Sequence, residues 1–493
     1  MTHSIPLYTA AQVQNFEQRA IDAYGLSAGE LMERAGAAAF AFLRARWPTA
    51  RRFIVMCGVG NNGGDGFVLA RLARATGLEL TVYQVGAATT VRDAALVALT
   101  AYRAAGGEVQ HWYGAARLDA DVLVDALFGT GLTREVSGEW RLAIEAINAA
   151  ALPILSLDIP SGVHADSGAV LGAAIRATAT VTFIVRKQGL YTGAGLAHGG
   201  HIDFADLGVS DAIYADTSPS AQLRTADDLL PCLPARARDA HKGLYGHVLV
   251  IGGDNGMSGA VRLAAEAAAR VGAGLVTIAT RSAHTTQLNA TRPELMCRGV
   301  DDVEQLQPLL ARASVLAIGP GLGQAEWGRA LLECALNSAL PLVVDADALN
   351  LLAQQPVRRD NWILTPHPGE AARLLQCSSA DVNADRYHAV RELAAHYGGV
   401  AVLKGVGSLV ACATAPVTVC TAGNPGMASG GMGDVLTGVI AGLLAQGLTC
   451  FDAARTGVLA HALAGDAAAV DGERGLLASD LFPWLRRLVN PSI

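Results

Sequence analysis

An acidic residue stands where a glycine-rich segment gives way to an apolar helix pattern near the C-terminus. The segment reads NPGMASGGMGDVLTGVIAGLLAQ, and its acid is Asp434. Glycines before a helix leave room for a phosphate at the free backbone amides, and a carboxylate beside them can take the proton of an accepting hydroxyl. Aspartate is also favoured as a cap in a first helical turn. The pattern therefore predicts either a phosphoryl-transfer base or a helix cap.

A lysine occupies a comparable position in VAVLKGVGSLV, where an apolar run ends. Lys404 is followed by Gly405, Val406, Gly407 and Ser408. A lysine can neutralise phosphate charge while the amides of such a flexible loop cradle the oxygens. The same letters also fit a surface hairpin with a solvated lysine. Because the segment GGMGD follows it closely, we interpret the loop as a candidate nucleotide site.

A histidine and a glutamate follow another apolar run, in WILTPHPGEAARLL. His367 and Glu370 are predicted to lie in a loop that leads into a helix. A lone histidine in such a loop is more often a cap than a functional group. His367 is kept as a candidate because Lys404 and Asp434 belong to the same half of the chain.

The N-terminal half has a glycine-rich turn of its own, in FIVMCGVGNNGGDGFVLARLA. Gly58 to Gly63 satisfies GxGxxG, a short match that fits an ordinary strand-to-helix turn as well as a phosphate site. Glycines allow close approach of the backbone, and a helix N-terminus offers free amides to an anion. The longer stretch GNNGGDG is more specific, and it predicts a ligand-binding turn.

Two further predicted strands of this half end in acids. These are Asp125 in DALFGTGLTREV and Asp158 in LDIPSGVHADSG. A lone aspartate after a strand is usually a cap or turn residue. The carboxyl ends of parallel strands meet at one edge of a sheet, however, and this would bring Asn62, Asp125 and Ser161 together. Their oxygens suit a monovalent or other hard cation.

The elements that must position these residues alternate between strand and helix. The segments TAAQ and SAGE near the N-terminus fit the capping-box pattern and predict two opening helices. In both halves, short apolar runs separated by alanine-rich helical stretches predict an α/β fold with a parallel sheet covered on both faces. The alternation breaks down over about residues 206–238, which we interpret as a linker. The predicted domains are residues 1–215 and 225–493.

The composition excludes several classes of protein. Of the 493 residues, 51% are hydrophobic and 16% are charged, which favours a compact α/β protein over disorder. The formal charge of -7 argues against a nucleic-acid partner. Eight cysteines without a CxxC pair fit reduced core thiols. The N-terminus lacks a signal-peptide pattern, and residues 435–451 are too few and too polar to span a membrane, so we expect a cytoplasmic protein with small-molecule ligands.

The segments GNNGGDG, FGTGLTRE and LDIPSG together resemble the N-terminal domain of the YjeF family, the NAD(P)H-hydrate epimerases. The resemblance implies a Rossmann-like three-layer αβα domain that interconverts the R and S forms of NAD(P)HX, a reduced nicotinamide hydrated at C6. It also implies that Asp158 is the acid/base group and that Asn62, Asp125 and Ser161 bind potassium. The implied NAD(P)HX-binding residues are Asn61, Asn62, Gly63, Gly64, Asp65, Gly129, Thr130, Gly131, Leu132, Thr133, Arg134, Glu135 and Asp158.

The C-terminal half is similar to the ADP-dependent NAD(P)H-hydrate dehydratases of the same family in KGLYGHVLVIGG, IGPGLG, DADALN, LTPHPGE, LKG and NPGMASGGMGDVLTG. The similarity implies a ribokinase-like αβα domain in which Asp434 is the catalytic base. The residues implied to bind the hydrate are Ala260, Gly321, His367 and Asp434. Those implied to bind ADP are Lys404, Gly405, Val406, Gly407, Ser408 and Gly433.

The two resemblances cover nearly the whole chain, and they imply a bifunctional enzyme of metabolite repair, an isomerase and a lyase. In the implied second reaction, Asp434 deprotonates the C6 hydroxyl of the S hydrate and ADP phosphorylates it. Phosphate then leaves, giving NAD(P)H and AMP. Magnesium would offset the nucleotide charge, with Glu370, Asp345 and Asp347 as candidates for its water shell. The kinase motif Asn-x-x-Glu is replaced by His-Pro-Gly-Glu, which counts against a sugar kinase.

Two alternatives remain open on the sequence. A ribokinase-like small-molecule kinase with an accessory nucleotide-binding domain would release a stable phosphorylated product and prefer ATP. A nucleotide-binding regulatory module would have lost its chemistry, and the intact Asp125, Asp158 and Asp434 argue against such a loss. The family resemblance also implies a homo-oligomer, tetramer-like in assembly. No spacing in the sequence decides between ADP and ATP, or between NADHX and NADPHX.

Overall fold

The chain folds into two compact units. The computed structural model describes residues 4–114, 118–290 and 292–490. The N-terminal unit is Pro6–Ala221, and the C-terminal unit comprises the described residues of Met1–Ile5 and Gln222–Ile493. Along the described chain, no helix combines the length and the apolar character that crossing a bilayer requires.

A seven-stranded parallel sheet forms the centre of the N-terminal unit. The first eight strands of the chain are β1 (Ile5–Leu7), β2 (Arg52–Cys57), β3 (Glu79–Gln84), β4 (Val109–His111), β5 (Val122–Ala126), β6 (Ile154–Leu157), β7 (Ala179–Phe183) and β8 (His201–Ala205). The sheet runs β4-β3-β2-β5-β6-β7-β8, and every neighbouring pair is parallel. The strand order reverses between β2 and β5, which is the point where sheets of this type bind ligands.

Helices cover both faces of this sheet. They are α1 (Ala10–Tyr24), α2 (Ala28–Arg46), α3 (Asn61–Ala75), α4 (Asp93–Ala104), α5 (Gly138–Ala149) and α6 (Gly193–Gly199). Phe53 and Val55 of β2 share a core cluster with side chains of α1 to α4, whereas Ile54 and Met56 pack with those of α5. Successive strand residues face opposite sides of a sheet, so this alternation produces three layers. Both opening helices begin with the predicted capping boxes.

The sheet of the C-terminal unit is parallel over most of its width. The remaining strands are β9 (Ala221–Arg224), β10 (His247–Ile251), β11 (Leu275–Thr280), β12 (Met296–Gly299), β13 (Val315–Ile318), β14 (Leu342–Val344), β15 (Trp362–Leu364), β16 (Val400–Leu403), β17 (Ser408–Cys412) and β18 (Ala415–Cys420). The order is β1-β9-β18-β17-β16-β15-β14-β13-β10-β11-β12. The strands β16, β17 and β18 pair antiparallel. The loop between β16 and β17 is too short for a parallel crossover, so it closes a hairpin.

Helices also cover both faces of this second sheet. They are α7 (Ser258–Arg270), α8 (Thr285–Leu288), α9 (Val303–Leu310), α10 (Glu326–Leu336), α11 (Ala346–Gln354), α12 (Pro368–Leu375), α13 (Ser379–Ala384), α14 (Arg386–Tyr397), α15 (Met432–Ala445), α16 (Cys450–Ala468) and α17 (Leu481–Leu488). Val248 and Val250 of β10 share a core cluster with α7, α15 and α16. Leu249 and Ile251 lie outside that cluster and are fully buried. Both faces of β10 are therefore covered.

Helix α15 is the apolar helix that follows the glycine-rich segment, and it is buried along most of its length. A glycine allows it to pack closely on α7. A Cβ atom at Gly438 would lie 1.9 Å from the carbonyl oxygen of Ala264, a distance that no real side chain tolerates. The position of α15 in the core therefore depends on this missing side chain.

We expect Gly438→Ala to lower the urea midpoint of unfolding, because the new methyl group must push α15 away from α7. Overpacking of this kind costs about 1–3 kcal/mol. Gly259→Ala in α7 is the matched control, because a Cβ there meets nothing within 4 Å. The control should be neutral or stabilising, since alanine is a better helix former than glycine. Equal midpoints for the two variants would contradict this account of the packing.

Candidate active sites

A cavity of about 620 Å³ lies in the N-terminal unit, at the carboxyl ends of β2, β5 and β6. The turn that starts α3, the segment after β5 and the residue after β6 all contribute to its wall. The predicted NAD(P)HX-binding residues that line it are Asn61, Asn62, Asp65, Gly129, Thr130, Gly131, Leu132, Thr133, Arg134 and Asp158. The structure thus brings together ten predicted residues from three separate stretches of the sequence, 61–65, 129–134 and 158.

Gly63, Gly64 and Glu135 do not line this cavity. A Cβ at Gly63 would lie 2.1 Å from the carbonyl oxygen of Gly58, and one at Gly64 would lie 2.4 Å from the sulfur of Met32. The two glycines therefore let α3 pack against its own turn and against α2. Glu135 is exposed. These three residues shape or flank the site, and only their neighbours face it.

Asp158 forms a buried ion pair with Lys187. The lysine ammonium also donates a hydrogen bond to the carbonyl oxygen of Phe183 at 2.7 Å, and its side chain is 1% exposed. Asp158 directly follows β6 and has a φ of 64°, a left-handed conformation that costs an aspartate energy. The backbone N–H of Asp158 donates to Val181 at 2.7 Å, which anchors the turn. The pair places an ammonium and a carboxylate side by side in the cavity wall.

Two more carboxyl groups line the same cavity, Glu17 from α1 and Asp65 from α3. Burial raises the pKa of Asp65 well above its ordinary value, and repulsion from Asp158 and Glu17 adds to this. Burial and the charge of Asp158 raise the pKa of Glu17 as well. The cavity therefore combines one charged pair with carboxyl groups that hold their protons more tightly than usual.

The predicted cation ligands meet around the backbone of Phe128. The Nδ2 atom of Asn62 donates to the Phe128 carbonyl oxygen at 2.9 Å, and the Phe128 N–H donates to Ser161 Oγ at 2.8 Å. Ser161 Oγ in turn donates to Asp125 Oδ1 at 2.6 Å. Asp125 is completely buried, and burial raises the pKa of its carboxyl group. Within the described part of the chain, Asn62 Oδ1 is buried without a hydrogen-bond partner.

In the C-terminal unit, Asp434 lies in the first turn of α15. The cap position belongs to Gly431, which has a φ of 92° and offers no side chain. Asp434 is therefore not the helix cap but an acid in the first turn, and its role as a base stays a prediction. Burial raises the pKa of Asp434 to about 7, with repulsion from Asp345 and Asp347 adding to the effect and Lys404 opposing it. At neutral pH this carboxyl group is poised to accept or release a proton.

Lys404 lies in a hairpin loop but points inward. Its ammonium donates to Asp345 Oδ1 at 2.7 Å and lies 3.8 Å from a carboxylate oxygen of Glu370. Thr437 of α15 donates to the other oxygen of Asp345, also at 2.7 Å. Burial lowers the pKa of Lys404, but attraction to Asp345 and Glu370 outweighs it, so the pKa is raised. The hairpin predicted as an alternative exists, whereas the solvated lysine does not.

Gly433 gives Lys404 room beside the start of α15. A Cβ at position 433 would lie 3.4 Å from the lysine nitrogen and 3.6 Å from Asp345 Oδ2. A larger side chain would therefore crowd the ammonium against the first turn of the helix. The free amides of that turn and the lysine charge together form a site for an anion.

His367 is a helix cap as well as a candidate ligand residue. Its Nδ1 atom accepts a hydrogen bond from the backbone N–H of Gly369 at 2.9 Å, and the backbone N–H of His367 donates to Glu370 Oε2 at 2.8 Å. The sequence alternative of a capping histidine is therefore realised in α12. Because Nδ1 accepts, the neutral imidazole carries its proton on Nε2, and half of the side chain is exposed.

Ala260 and Gly321 lie next to each other at the ends of different elements. Gly321 has a φ of 57°, and a Cβ there would lie 3.3 Å from the Cβ of Ala260. The loop continues to Gly323, whose N–H donates to Asp347 Oδ2 at 2.9 Å. Asp347 is one of the acids that raise the pKa of Asp434. Asp347 thus connects the loop that contains Gly321, beside Ala260, with the surroundings of Asp434.

The predicted nucleotide loop joins β16 to β17. Gly405 and Gly407 have φ values of 128° and 64°, which only glycine adopts easily. Ser408 Oγ donates to the carbonyl oxygen of Gly405 at 2.9 Å, and Val406 is exposed. Beneath the loop, the buried guanidinium of Arg386 donates to the carbonyl oxygen of Lys404 at 3.2 Å. The loop thus has a fixed base and an open outer surface.

The three acids predicted for the magnesium water shell all accept hydrogen bonds from the protein. Asp345 binds Lys404 and Thr437, as described above. Asp347 accepts from the backbone of Gly323, and Glu370 accepts from the backbone of His367. In the described ranges, no group of three or more His, Cys, Asp or Glu side chains is arranged to hold a metal ion. A divalent ion here would need oxygens from a ligand.

Three residues of the candidate sites were not predicted from the sequence, namely Lys187, Glu17 and Thr437. For one of them the sequence does contain an indication. The chain has three lysines against 34 arginines. Two of the three lysines form an ion pair with an aspartate in the candidate sites, Lys187 with a side chain 1% exposed and Lys404 with one 18% exposed. The rarity of lysine points to Lys187, whereas nothing in the sequence around Glu17 or Thr437 does.

Comparison with known proteins assigns both halves. A family model described as YjeF-related protein N-terminus matches residues 28–189, and one described as NAD(P)H-hydrate dehydratase matches residues 248–487. A bifunctional NAD(P)H-hydrate repair enzyme of Coxiella burnetii is 52% identical over 486 residues, which cover 98% of this chain and 99% of the relative. The chain belongs to the family of bifunctional NAD(P)H-hydrate repair enzymes.

Further relatives agree with this family. The NAD(P)H-hydrate repair enzyme of Escherichia coli K12 is 46% identical over 493 residues, covering 99% of this chain and 95% of the relative. A crystal structure of a ribokinase-like superfamily protein from Enterococcus faecalis matches 55% of this chain and 95% of its own, with 30% identity and a TM-score of 0.50. The predicted family, fold class and metabolite-repair function are confirmed, while the roles of individual NAD(P)H-hydrate site residues stay predictions.

The raised pKa of Asp434 predicts that the ionised carboxylate destabilises the folded state of this NAD(P)H-hydrate repair enzyme above pH 7. A carboxyl group whose pKa rises from 3.8 to about 7 on folding contributes stability at low pH, and this contribution is lost as the pH rises toward 7. We therefore expect Asp434→Asn to raise the urea midpoint of unfolding at pH 8 and to change it little near pH 4. The free energy of unfolding at pH 8 should rise by at most about 4 kcal/mol.

The matched control for this measurement is Asp360→Asn, since the side chain of Asp360 is 89% exposed. That variant should leave the midpoint unchanged at both pH values. A loss of stability in Asp434→Asn that is the same at pH 4 and pH 8 would mean that the carboxylate is not strained in the folded chain.

Proposed function

We propose that the two units divide the repair of hydrated nicotinamide cofactors between them. The N-terminal unit, predicted as residues 1–215, exchanges the R and S forms of NAD(P)HX. The C-terminal unit, predicted as residues 225–493, dehydrates the S form with ADP and releases NAD(P)H, AMP and phosphate. The observation that carries the second assignment is Asp434, a half-buried acid with a pKa of about 7 at the uncapped start of α15.

In the C-terminal site, Asp434 takes the proton from the C6 hydroxyl as the hydroxyl oxygen attacks the terminal phosphorus of ADP. Lys404 and the amides of the first turn of α15 stabilise the charge on the phosphoryl group. The lone pair of the ring nitrogen then expels phosphate from C6 to give an N1=C6 iminium, and loss of a proton from C5 forms the C5=C6 double bond of NAD(P)H and returns the lone pair to nitrogen. Asp345 holds the ammonium of Lys404 in place through their 2.7 Å hydrogen bond.

The remaining predicted residues divide between the two ligands. Ala260, Gly321 and His367 would contact the hydrate, and the His367 side chain is half exposed, with its Nε2 atom 3.5 Å from Glu370 Oε1. Gly405, Val406, Gly407, Ser408 and Gly433 would contact the nucleotide, and the positive φ values of Gly405 and Gly407 would let the loop follow the phosphates closely, beside the charge of Lys404. A kinase that keeps its phosphorylated product remains the competing function, and the assay below separates the two.

Magnesium fits this site only together with the nucleotide. Mg²⁺ keeps several waters and is usually bound by substrate phosphates with one or two carboxylates. Glu370 and Asp347 are the candidates for its water shell, because Asp345 is already engaged by two side-chain donors, Lys404 and Thr437. The ion would offset the negative charge of the ADP phosphates.

A monovalent cation fits the N-terminal site, and we propose potassium held by Asn62, Asp125 and Ser161. Asn62 Oδ1 is buried without a partner in the described chain, and Asp125 is a completely buried carboxyl group with only neutral hydrogen-bond donors around it. A cation would compensate both and would hold the segment after β5 against the start of α3. The predicted homo-oligomer and cytoplasmic location stay predictions, and no step depends on them.

Potassium should therefore stabilise the N-terminal unit. We expect a higher thermal midpoint in KCl than in N-methylglucamine chloride at the same ionic strength, because only potassium can satisfy Asn62 Oδ1. Asn62→Ala should abolish this difference, whereas Asn61→Ala, at the exposed neighbouring position, should keep it. A difference that persists in Asn62→Ala would place the ion elsewhere or reduce it to a general salt effect.

The division of labour is tested with mixed NADHX epimers and ADP, followed by NADH absorbance, AMP and chromatography of the epimers. The unmodified chain should return both epimers to NADH. Asp434→Asn should abolish NADH return and keep epimer exchange, whereas Asp158→Asn should return only the S fraction, so each variant is the control for the other. A stable phosphorylated hydrate without NADH would favour the kinase, and loss of both activities in either variant would contradict two separate sites.

A further inference from the structure

The carboxylate of Asp158 has one occupied and one open oxygen. Among the described residues, every hydrogen bond that it accepts goes to Oδ1, from Lys187, Thr182 Oγ1 and Phe183 N. Oδ2 instead faces Gly129, where a Cβ would lie 3.5 Å away. Gly129, Asp158 and Lys187 all line the cavity. A substrate hydroxyl can therefore reach Oδ2 while Lys187 remains bound to Oδ1.

The backbone around this pair is held in an unfavourable conformation. Ile184, the residue after β7, has a φ of 64°, which is strained for a β-branched side chain. Its N–H donates to Ala205 at 2.9 Å, which locks the turn. The turn brings Lys187 back so that its ammonium meets the carbonyl oxygen of Phe183 and the carboxylate of Asp158. Strain of this kind is typical of residues that must hold a functional group in place.

The choice of lysine at position 187 also needs a reason. The chain uses 34 arginines and three lysines, so a partner that only neutralised Asp158 would be expected to be arginine. Arginine stays protonated at any relevant pH, whereas a lysine can release a proton. A lysine at this position therefore points to proton transfer as well as charge.

We propose that Lys187 is a second catalytic residue of the epimerase and that the epimers exchange through an open-chain aldehyde. This inference rests on the proposed epimerase function of the N-terminal unit. Asp158 and Lys187 act as a relay that carries a proton from the C6 hydroxyl to the ring nitrogen and back. C6 of the hydrate bears both the hydroxyl and the ring nitrogen N1, so breaking the C6–N1 bond turns the hydroxyl into a carbonyl.

The bonds and protons balance within the substrate and the pair. Asp158 Oδ2 takes the hydroxyl proton, the C6=O double bond forms, and the C6–N1 bond breaks with its electron pair on N1. Lys187 gives a proton to N1 and regains one from Asp158 across their hydrogen bond. Rotation about the C5–C6 bond presents the other face of the aldehyde to N1, and the reverse steps close the ring as the opposite epimer.

The neighbouring carboxyl groups favour this relay. Glu17 and Asp65 line the cavity beside Asp158 and Lys187. A neutral carboxyl group there would neither compete for the ammonium of Lys187 nor repel Asp158. Among the described residues, Asp158 is accordingly the carboxylate with which Lys187 forms its ion pair.

The first test compares Lys187→Arg and Lys187→Ala with the unmodified chain, by following the conversion of purified R hydrate to S. Lys187→Arg keeps the positive charge but not the transferable proton, and its kcat should fall by about 100-fold or more. Ethylamine should restore part of the activity of Lys187→Ala, whereas tetramethylammonium, which has charge and no proton, should not. Lys242→Arg, at an exposed lysine, is the matched control.

The second test follows the oxygen atom. Epimerisation in water enriched in ¹⁸O should leave the C6 oxygen unlabelled in the first turnovers, because the open-chain route never releases it. One solvent oxygen incorporated per inversion would overturn the aldehyde route, since loss and return of water would then explain the exchange.

The outcomes separate this inference from the function on which it rests. An unmodified chain that leaves the R epimer unchanged would refute the epimerase function itself. An active unmodified chain together with a fully active Lys187→Arg, or rescue by tetramethylammonium, would refute only the role of Lys187. Dehydration of pure S hydrate by the variants shows that the chain is folded, and a cation-dependent thermal midpoint reports on the N-terminal unit.

Discussion

Each unit of this enzyme is organised around a buried lysine that binds an aspartate at the carboxyl end of a parallel sheet. Removing two charges from water is costly, and such a pair persists only when its geometry satisfies both partners. Lys187 and Lys404 meet this condition by binding further oxygens, the first a backbone carbonyl and the second a glutamate. Burial raises the pKa of the carboxyl groups around the pairs, and the charges of the pairs modify that shift.

The two pairs serve different kinds of chemistry. In the N-terminal unit, Asp158 and Lys187 both line the ligand cavity, so the proposed base and acid belong to one ion pair. In the C-terminal unit, Asp345 is engaged from both sides, and the acid proposed to react is Asp434, whose pKa burial raises to about 7. An epimerase must move a proton both ways, whereas a phosphoryl transfer needs one base and a fixed positive charge.

Glycines make both sites possible through the absence of side chains. A Cβ at Gly58 would lie 2.0 Å from the carbonyl oxygen of Leu127, and one at Gly319 would lie 1.8 Å from that of Asp345. In each unit, two neighbouring strand ends therefore approach more closely than any larger residue permits. In the N-terminal unit this contact brings the turn after β2 beside the segment after β5, and in the C-terminal unit it brings the turn after β13 beside Asp345, which follows β14. The glycine-rich segments thus allow close packing of the backbone, in addition to the ligand binding proposed for them.

The sequence by itself determined the fold class, the family and most of the residues at the strand ends, because apolar periodicity and glycine turns are local properties. GNNGGDG and GGMGD could be placed at helix starts without knowledge of the rest of the chain. The tertiary structure alone decided which side chains meet. Lys404 reads equally well as a solvated hairpin lysine until Asp345, from another strand end, is brought beside it. Glu17 and Lys187 lie 170 residues apart, and only the closed sheet puts both in one cavity. The pKa of Asp434 depends on burial and on three charges from elsewhere in the chain, so no local pattern could have revealed it.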